Sequence, residues 1–382
     1  MTEPEQRRPV AWSSGLKDVG SLGATVGGNV LRRRRRKKQG AAVDPHADVD
    51  FTAIYSDESS TVILDDGVGI SVRTVLTGGG LEAQAAPSKP EATVIFVHGF
   101  TLRMASWHFQ RYGLAQRWAD RRIKMVFYDQ RGHGRSDPAP TASCSIPQLG
   151  DDLAAVIRAV APTGPVVLIG HSMGGMTIMA MARSNPEMFG YKGRVSGVGL
   201  ISTAARGITE AGLGEGLNNP VVDALRLSVR YFPRLVQAGR GITRQAVQPV
   251  LVAASFGPEY YSPATERAVE KMIQNTSIST MVNFLHALES HDESTALPVL
   301  AQVPSVVMCG DVDRLTPLPL SVRMFSELGD DSRLVIGEGC GHMLPMEYPD
   351  LVNDAIDNLV QRERPARGRP RMRWYWGRDE RA

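Results

Sequence analysis

The sequence predicts an α/β protein: a mostly parallel, doubly wound sheet carrying a helical insertion. Three observations lead there. Short apolar runs recur along the chain, helix-like segments separate most of them, and the rhythm breaks once, between residues 204 and 290.

The runs are TVIFVHG (93–99), KMVFYD (124–129), PVVLIG (165–170), VSGVGLIS (195–202), PSVVMCG (304–310) and RLVIGEG (333–339). Continuous apolar runs of this length suit strands covered on both faces, as in a parallel sheet. Ahead of them, STVILDDGVGISVRTVL (60–76) reads as two strands around an Asp66-Gly67 turn. Helical segments are expected at 106–119, 147–160, 173–184, 318–328 and 347–362. Residues 204–290 hold no strong strand run and read as several helices with loops, a cap over the carboxyl edge of the sheet. The expected organisation is a basic tail (1–50), core (51–203), helical cap (204–290), core (291–363) and a second basic tail (364–382).

Charge is distributed unevenly. Arg32 to Lys38 are seven consecutive cations, and the last 22 residues carry eight arginines against three acids. With these ends set aside, the total of +3 becomes about −9 for the body. No secretory signal is evident, because the basic run follows the apolar stretch instead of preceding it. Residues 10–31 are interrupted by Lys17, Asp18 and Asn29, so a spanning helix is not expected. The tail reads first as a solvated run of charge, second as a contact with an anionic membrane, and third as a nucleic-acid contact. A cytoplasmic protein is the expectation, peripheral at the inner face of the membrane on the second of these readings. Cys144, Cys309 and Cys340 are too few and too scattered for a disulfide framework or a zinc site.

The chemistry starts at LIGHSMGGMT (168–177). A serine two residues after one glycine and two before another, at a strand-to-helix junction, is the pattern of a nucleophile elbow. Ser172 needs a base, and the base needs an acid to orient it. Candidate partners follow later strand runs. Asp311 and Asp313 come after PSVVMCG, and His342 comes after RLVIGEG. The N–H groups of Phe100 and Met173 are the expected oxyanion donors. His98 reads as a loop-shaping residue in preference to a catalytic base.

Together, HGF (98–100), YDQRGHGRSD (128–137), GHSMGG (170–175), GDVDRLTP (310–317) and GCGHMLPMEYPD (339–350) resemble the α/β-hydrolase superfamily. The resemblance spans about residues 51–363. It is most similar to the cap-bearing esterase, lipase and cofactor-free haloperoxidase-like branch. It implies the α/β-hydrolase fold and selects Asp313 over Asp311 as the acid. It also implies that Asp129, Arg131, His133 and Ser136 brace a loop instead of reacting. Serine at 172 sets the chain apart from relatives with an aspartate nucleophile.

The expected activity is that of a serine hydrolase cleaving acyl esters, lipid-like ones included, through an acyl-enzyme on Ser172. Catalytic Ser172, Asp313 and His342 and oxyanion donors Phe100 and Met173 complete the set, with no cofactor and no metal. The alternatives are C–C or amide hydrolysis by the same triad, and a hydrolase-fold binding protein without catalysis.

Overall fold

The computed structural model describes residues 43–78, 89–206, 251–252 and 254–361, with the backbone of 375–377. The chain divides at Ala42/Val43, and all of these residues belong to the second unit. The basic run Arg32 to Lys38 and residues 207–250 of the expected cap lie outside the described residues. Among the described residues, no helix is long and apolar enough to cross a membrane.

The strands are β1 (Glu58–Ile63), β2 (Gly69–Leu76), β3 (Ala92–Val97), β4 (Ile123–Tyr128), β5 (Val166–His171), β6 (Val195–Ile201), β7 (Ser305–Gly310), β8 (Ser332–Gly337) and β9 (Tyr375–Gly377). They form one sheet in the order β1-β2-β4-β3-β5-β6-β7-β8-β9. Only the β1/β2 and β2/β4 pairs are antiparallel. The order reverses around β3, as in a doubly wound sheet.

Alternate residues of the central strands enter opposite cores. Ile95 and Val97 of β3, Val126 and Tyr128 of β4, and Val166 and Leu168 of β5 join one cluster. Val94 and Phe96, Met125 and Phe127, and Val167 and Ile169 join the other. Both faces are therefore covered, which is why these runs are apolar without a break. Helices α1 (His108–Arg117), α2 (Ile146–Val160), α3 (Met173–Ser184), α4 (Pro263–Gln274), α5 (Ile278–Glu289), α6 (Leu318–Glu327) and α7 (Pro349–Gln361) supply the covers. Helices α2, α3 and α6 contribute to the first core, and α1 and α7 to the second.

Three boundaries differ from the sequence reading. Residues 43–50 belong to the fold, not to a tail. The Asp44 carboxylate accepts from the Ala264 N–H and the Ser262 hydroxyl, each at 2.7 Å, and so caps α4. The helix expected over 347–362 begins at Pro349, after a separate turn at Leu344–Glu347. Proline disfavours helical geometry in the residue before it, and Tyr348 sits at φ −128, ψ 63. Residues 364–382 are not wholly a tail, because Tyr375–Gly377 pair in parallel with β8. Trp374, Tyr375 and Trp376 favour a strand among the arginines.

The described part of the 204–290 segment includes α4 and α5, which lie against loops at the carboxyl ends of β3 and β4. The Thr276 hydroxyl donates to the Thr101 carbonyl (3.1 Å), and Thr280 donates to Gly132 (3.2 Å). Phe284 of α5 packs on the His133 ring at 5.4 Å.

Candidate active site

Strands β3, β5, β7 and β8 are parallel, so the loops leaving their carboxyl ends share one edge of the sheet. Ligands of open α/β sheets bind at that edge.

Ser172 lies between β5 and α3 at φ 53, ψ −121. Positive φ at a non-glycine residue stores strain and persists only where the surroundings hold it. Here the Ser172 N–H donates to the Ile201 carbonyl (2.9 Å). Its own carbonyl accepts from the Gly175 N–H (2.9 Å) and the Thr203 hydroxyl (2.7 Å). The flanking glycines permit the close packing around it. A Cβ at Gly170 would stand 2.5 Å from the Gly174 oxygen, and one at Gly174 would stand 2.0 Å from the Val97 oxygen. The serine peptide is thus locked, and its side chain is half-buried.

Asp313 and His342 meet across the loops after β7 and β8. His342 Nδ1 is 2.9 Å from Asp313 Oδ2 and 3.1 Å from Oδ1. Asp313 also accepts from the Leu315 N–H (2.8 Å), the Thr316 N–H (3.0 Å) and the Thr316 hydroxyl (2.9 Å). Burial pushes its carboxyl up, but the His342 imidazole and the backbone donors outweigh burial and leave it lowered. An ionised carboxylate only accepts, so Nδ1 of His342 carries the proton. In the neutral ring, Nε2 then holds the lone pair.

Asp311 does something else. It is exposed, and its Oδ1 accepts from the Gly339 N–H at 2.7 Å. The geometry separates two aspartates that the residues alone left open.

The loop after β3 adjoins the elbow. A Cβ on Gly99 would stand 3.1 Å from the Ser172 Cβ. Among the described residues, neither the Phe100 nor the Met173 N–H donates to a protein acceptor. The Met173 group lies in the first turn of α3, where N–H groups lack intrahelical partners. Two free donors flanking the serine suit an oxygen that gains negative charge.

His98 is wholly buried. Its Nδ1 is 2.8 Å from the Gly99 carbonyl, and its Nε2 accepts from the Gln130 N–H at 2.9 Å. Burial and the neighbouring His133 hold its pKa well below the usual histidine value. Both nitrogens are occupied, so it shapes the loop. The segment after β4 is equally tied. Arg131, fully buried, makes a two-bond pair with Asp152 at 2.5 and 2.6 Å and reaches Asp66 at 2.8 Å.

Two residues of the site escaped the sequence reading. His171 Nε2 donates to the His342 carbonyl at 2.9 Å, with the rings 4.9 Å apart. Burial, then the adjacent His342, hold His171 down at about 3, so it serves as a neutral strut between elbow and histidine loop. Thr316 is 3.3 Å from His342 Nδ1 while donating to Asp313. A histidine directly before the elbow serine was the available signal for the first. Nothing in the sequence marked the second. Among the described residues, no cluster of His, Cys, Asp and Glu is arranged to hold a metal ion.

Comparison with known proteins places this geometry. The chain is 28% identical over 202 residues to a 2-hydroxy-6-oxononadienedioate/2-hydroxy-6-oxononatrienedioate hydrolase of a Pseudomonas species, covering 51% of this chain and 62% of that one. It is 27% identical over 277 residues to the lipase LipV of Mycobacterium tuberculosis, covering 71% of this chain and 93% of that one. An esterase of Exiguobacterium antarcticum shares the fold, with a TM-score of 0.64 and 20% identity over 80% of this chain and all of that one. Residues 94–355 match the model of the alpha/beta hydrolase family. That span runs from β3 into α7 and contains every residue of the site just described, and on it the chain belongs to the alpha/beta hydrolase family.

Proposed function

We propose that this protein is a serine hydrolase that cleaves carboxylic esters through an acyl-enzyme on Ser172. One observation carries the reading: a serine locked at positive φ directly after His171, which is bonded to the carbonyl of His342, whose ring is held by the buried Asp313 and whose outer nitrogen has no partner among the described residues. His342 Nε2 takes the hydroxyl proton as Ser172 Oγ attacks the ester carbonyl. Asp313 keeps the proton on Nδ1 and stabilises the imidazolium. The Phe100 and Met173 N–H groups receive the oxyanion. His342 then protonates the departing alcohol. Water, activated by the same nitrogen, attacks the acyl carbon and regenerates Ser172. The proton balance closes on His342, so the cycle uses this chain's own groups and water.

The similarity to the Pseudomonas dienedioate hydrolase supports a second reading, cleavage of a C–C bond by the same groups. A panel of p-nitrophenyl and glycerol esters of graded chain length, with a 2-hydroxy-6-oxo-dienoate beside them, separates the two. Labelling by a fluorophosphonate probe reports the nucleophile in either case. Ser172→Ala should fold, lose the label and retain only about 10³–10⁴-fold acceleration over water, the residue left by binding and oxyanion donors. Near-normal turnover by that variant would end the serine reading.

A further inference from the structure

Three successive residues of the histidine loop have a backbone group tied to a different element. The Gly341 N–H donates to Glu347 Oε1 at 3.0 Å. The His342 carbonyl accepts from His171. The Met343 N–H donates to the Ser255 carbonyl at 2.8 Å. Only Glu347 brings a charge-bearing group, and it does not stop at the loop. Its other oxygen, Oε2, accepts from the Gly257 N–H at 2.8 Å. One carboxylate, 7% exposed, therefore joins the chain at 255–257 to the residue directly before His342.

The packing leaves no slack. A Cβ on Gly341 would stand 2.5 Å from the Gly257 nitrogen, and a Cβ on Gly257 would stand 2.2 Å from the Gly339 oxygen. The two backbones touch, and Glu347 receives an N–H from each. The short turn Leu344–Glu347 presents the carboxylate, and Tyr348 and Pro349 end that turn directly after it.

We propose that Glu347 is a positioning residue for His342, fixing the histidine loop to residues 255–257 through two backbone N–H groups. The proposal rests on the serine-hydrolase reading. It gives a role in the site to a buried acid that touches none of the reacting groups. Above about pH 7, where Glu347 is ionised, its carboxylate only accepts, and two N–H donors converge on it. The isosteric amide has one acceptor oxygen and would aim its NH₂ at the second donor. That leaves one N–H without a partner inside the protein. The loop would then relax by a fraction of an ångström, and His342 would move with it.

The test compares Glu347→Gln with Asp152→Asn, a buried carboxylate variant on α2 that is paired with Arg131 and has no bond to the histidine loop. Four readings are taken on the full chain well below the melting temperature: kcat, KM, the acid limb of the pH–kcat profile, and the rate of fluorophosphonate labelling of Ser172. Glu347→Gln should lower kcat and the labelling rate together by about 10-fold or more, since small displacements of catalytic groups carry losses of that order. KM should stay within about 2-fold, and the acid limb should shift, because the group displaced is the base His342 and not the binding surface. Asp152→Asn should lower the melting temperature and leave all four readings near those of the parent. If Glu347→Gln fails to fold, Glu347→Asp, which withdraws both oxygens but keeps them, should show the same pattern at smaller size. Unchanged kcat and labelling in a folded Glu347 variant would overturn the proposal. So would equal losses in the Glu347 and Asp152 variants. A parent protein that takes no label would instead overturn the serine reading on which this one rests.

Discussion

Asp129 with His133, in the loop after β4, and Asp313 with His342, in the loops after β7 and β8, place the same two side chains at the same edge of one sheet. All four are buried. They differ in what is left unbonded. Asp129 accepts from the Met104 N–H (2.7 Å), the Arg135 N–H (2.8 Å) and the Tyr55 hydroxyl (3.1 Å). His133 Nδ1 is 3.0 Å from the Arg131 carbonyl, and its Nε2 accepts from the Thr101 N–H at 3.3 Å. Nothing remains for a substrate. In the other pair, Asp313 consumes one nitrogen of His342, and Nε2 keeps its lone pair. Residue type therefore does not assign reactivity here. The residual valence at each ring does.

The comparison breaks most sharply at the two aspartates. Asp313→Asn should fold and lose about 10³–10⁴-fold in kcat, because the amide favours the wrong tautomer of His342. Asp129→Asn should do the opposite. It strips an acceptor from a wholly buried carboxyl with three donors, which should lower stability by about 2–4 kcal/mol while kcat stays near that of the parent well below the melting temperature. Urea unfolding and ester turnover, measured on both variants, check this. A collapse of kcat without loss of stability in Asp129→Asn would make the two pairs alike.

Much of this was legible in the sequence. Ser172 announced itself because glycine is obligatory at 170 and 174 for steric reasons, and sterics leave a local signature. The central strands were visible because burial on both faces leaves an unbroken apolar run. Other features had no such mark. Asp311 and Asp313 lie two residues apart after the same strand; the residues themselves left both open, only the family resemblance selected Asp313, and in the structure it is Asp313 that meets His342. Glu347 meets Gly257 across 90 residues of chain, so its role depends on a tertiary approach that no local pattern encodes. The start of the fold was misplaced for a similar reason. Asp44 caps a helix that begins more than two hundred residues later, and within its own neighbourhood it is only one acid in a polar stretch.

The satisfied histidines also set how stability depends on pH. Burial holds His133 down at about 4 and His171 at about 3, and it holds His98 well below its usual value. In the unfolded chain each titrates near 6.5. Between those limits the unfolded state binds more protons, so stability rises with pH and is lost as pH falls below about 6.5. Glu347 opposes this. Burial pushes its carboxyl up to about 7, so from its unfolded value of 4.5 up to that point the native state binds the extra proton. His108 is held down as well, at about 4, so across the window the lowered histidines outnumber Glu347 and the net slope stays positive. Urea midpoints at pH 7.5 and 5.5 should fall clearly in that order. Equal midpoints would mean that the buried histidines take up protons without opening the fold, and the contrast between bonded and unbonded rings would weaken.

The smallest effect is expected at Asp311, and it sharpens the comparison most finely. Asp311 stands closer in sequence to the end of β7 than Asp313 does, and it too is bonded to the loop that carries His342. Its Oδ1 accepts from the Gly339 N–H, three residues before the imidazole. Yet it is exposed, and that one bond needs only a carbonyl-like oxygen, which asparagine retains. Asp311→Asn should therefore keep the loop, with stability within about 0.5 kcal/mol of the parent, as for most surface substitutions. Turnover should stay within about 2-fold, because the group that fixes the tautomer of His342 is untouched. Setting Asp311→Asn beside Asp313→Asn holds the chemical change and the sequence neighbourhood constant, and varies burial and contact with the ring. If the Asp311 variant were as crippled as the Asp313 variant, the acid would have to be read as a shared charge of the loop and not as a single carboxylate locked onto one nitrogen.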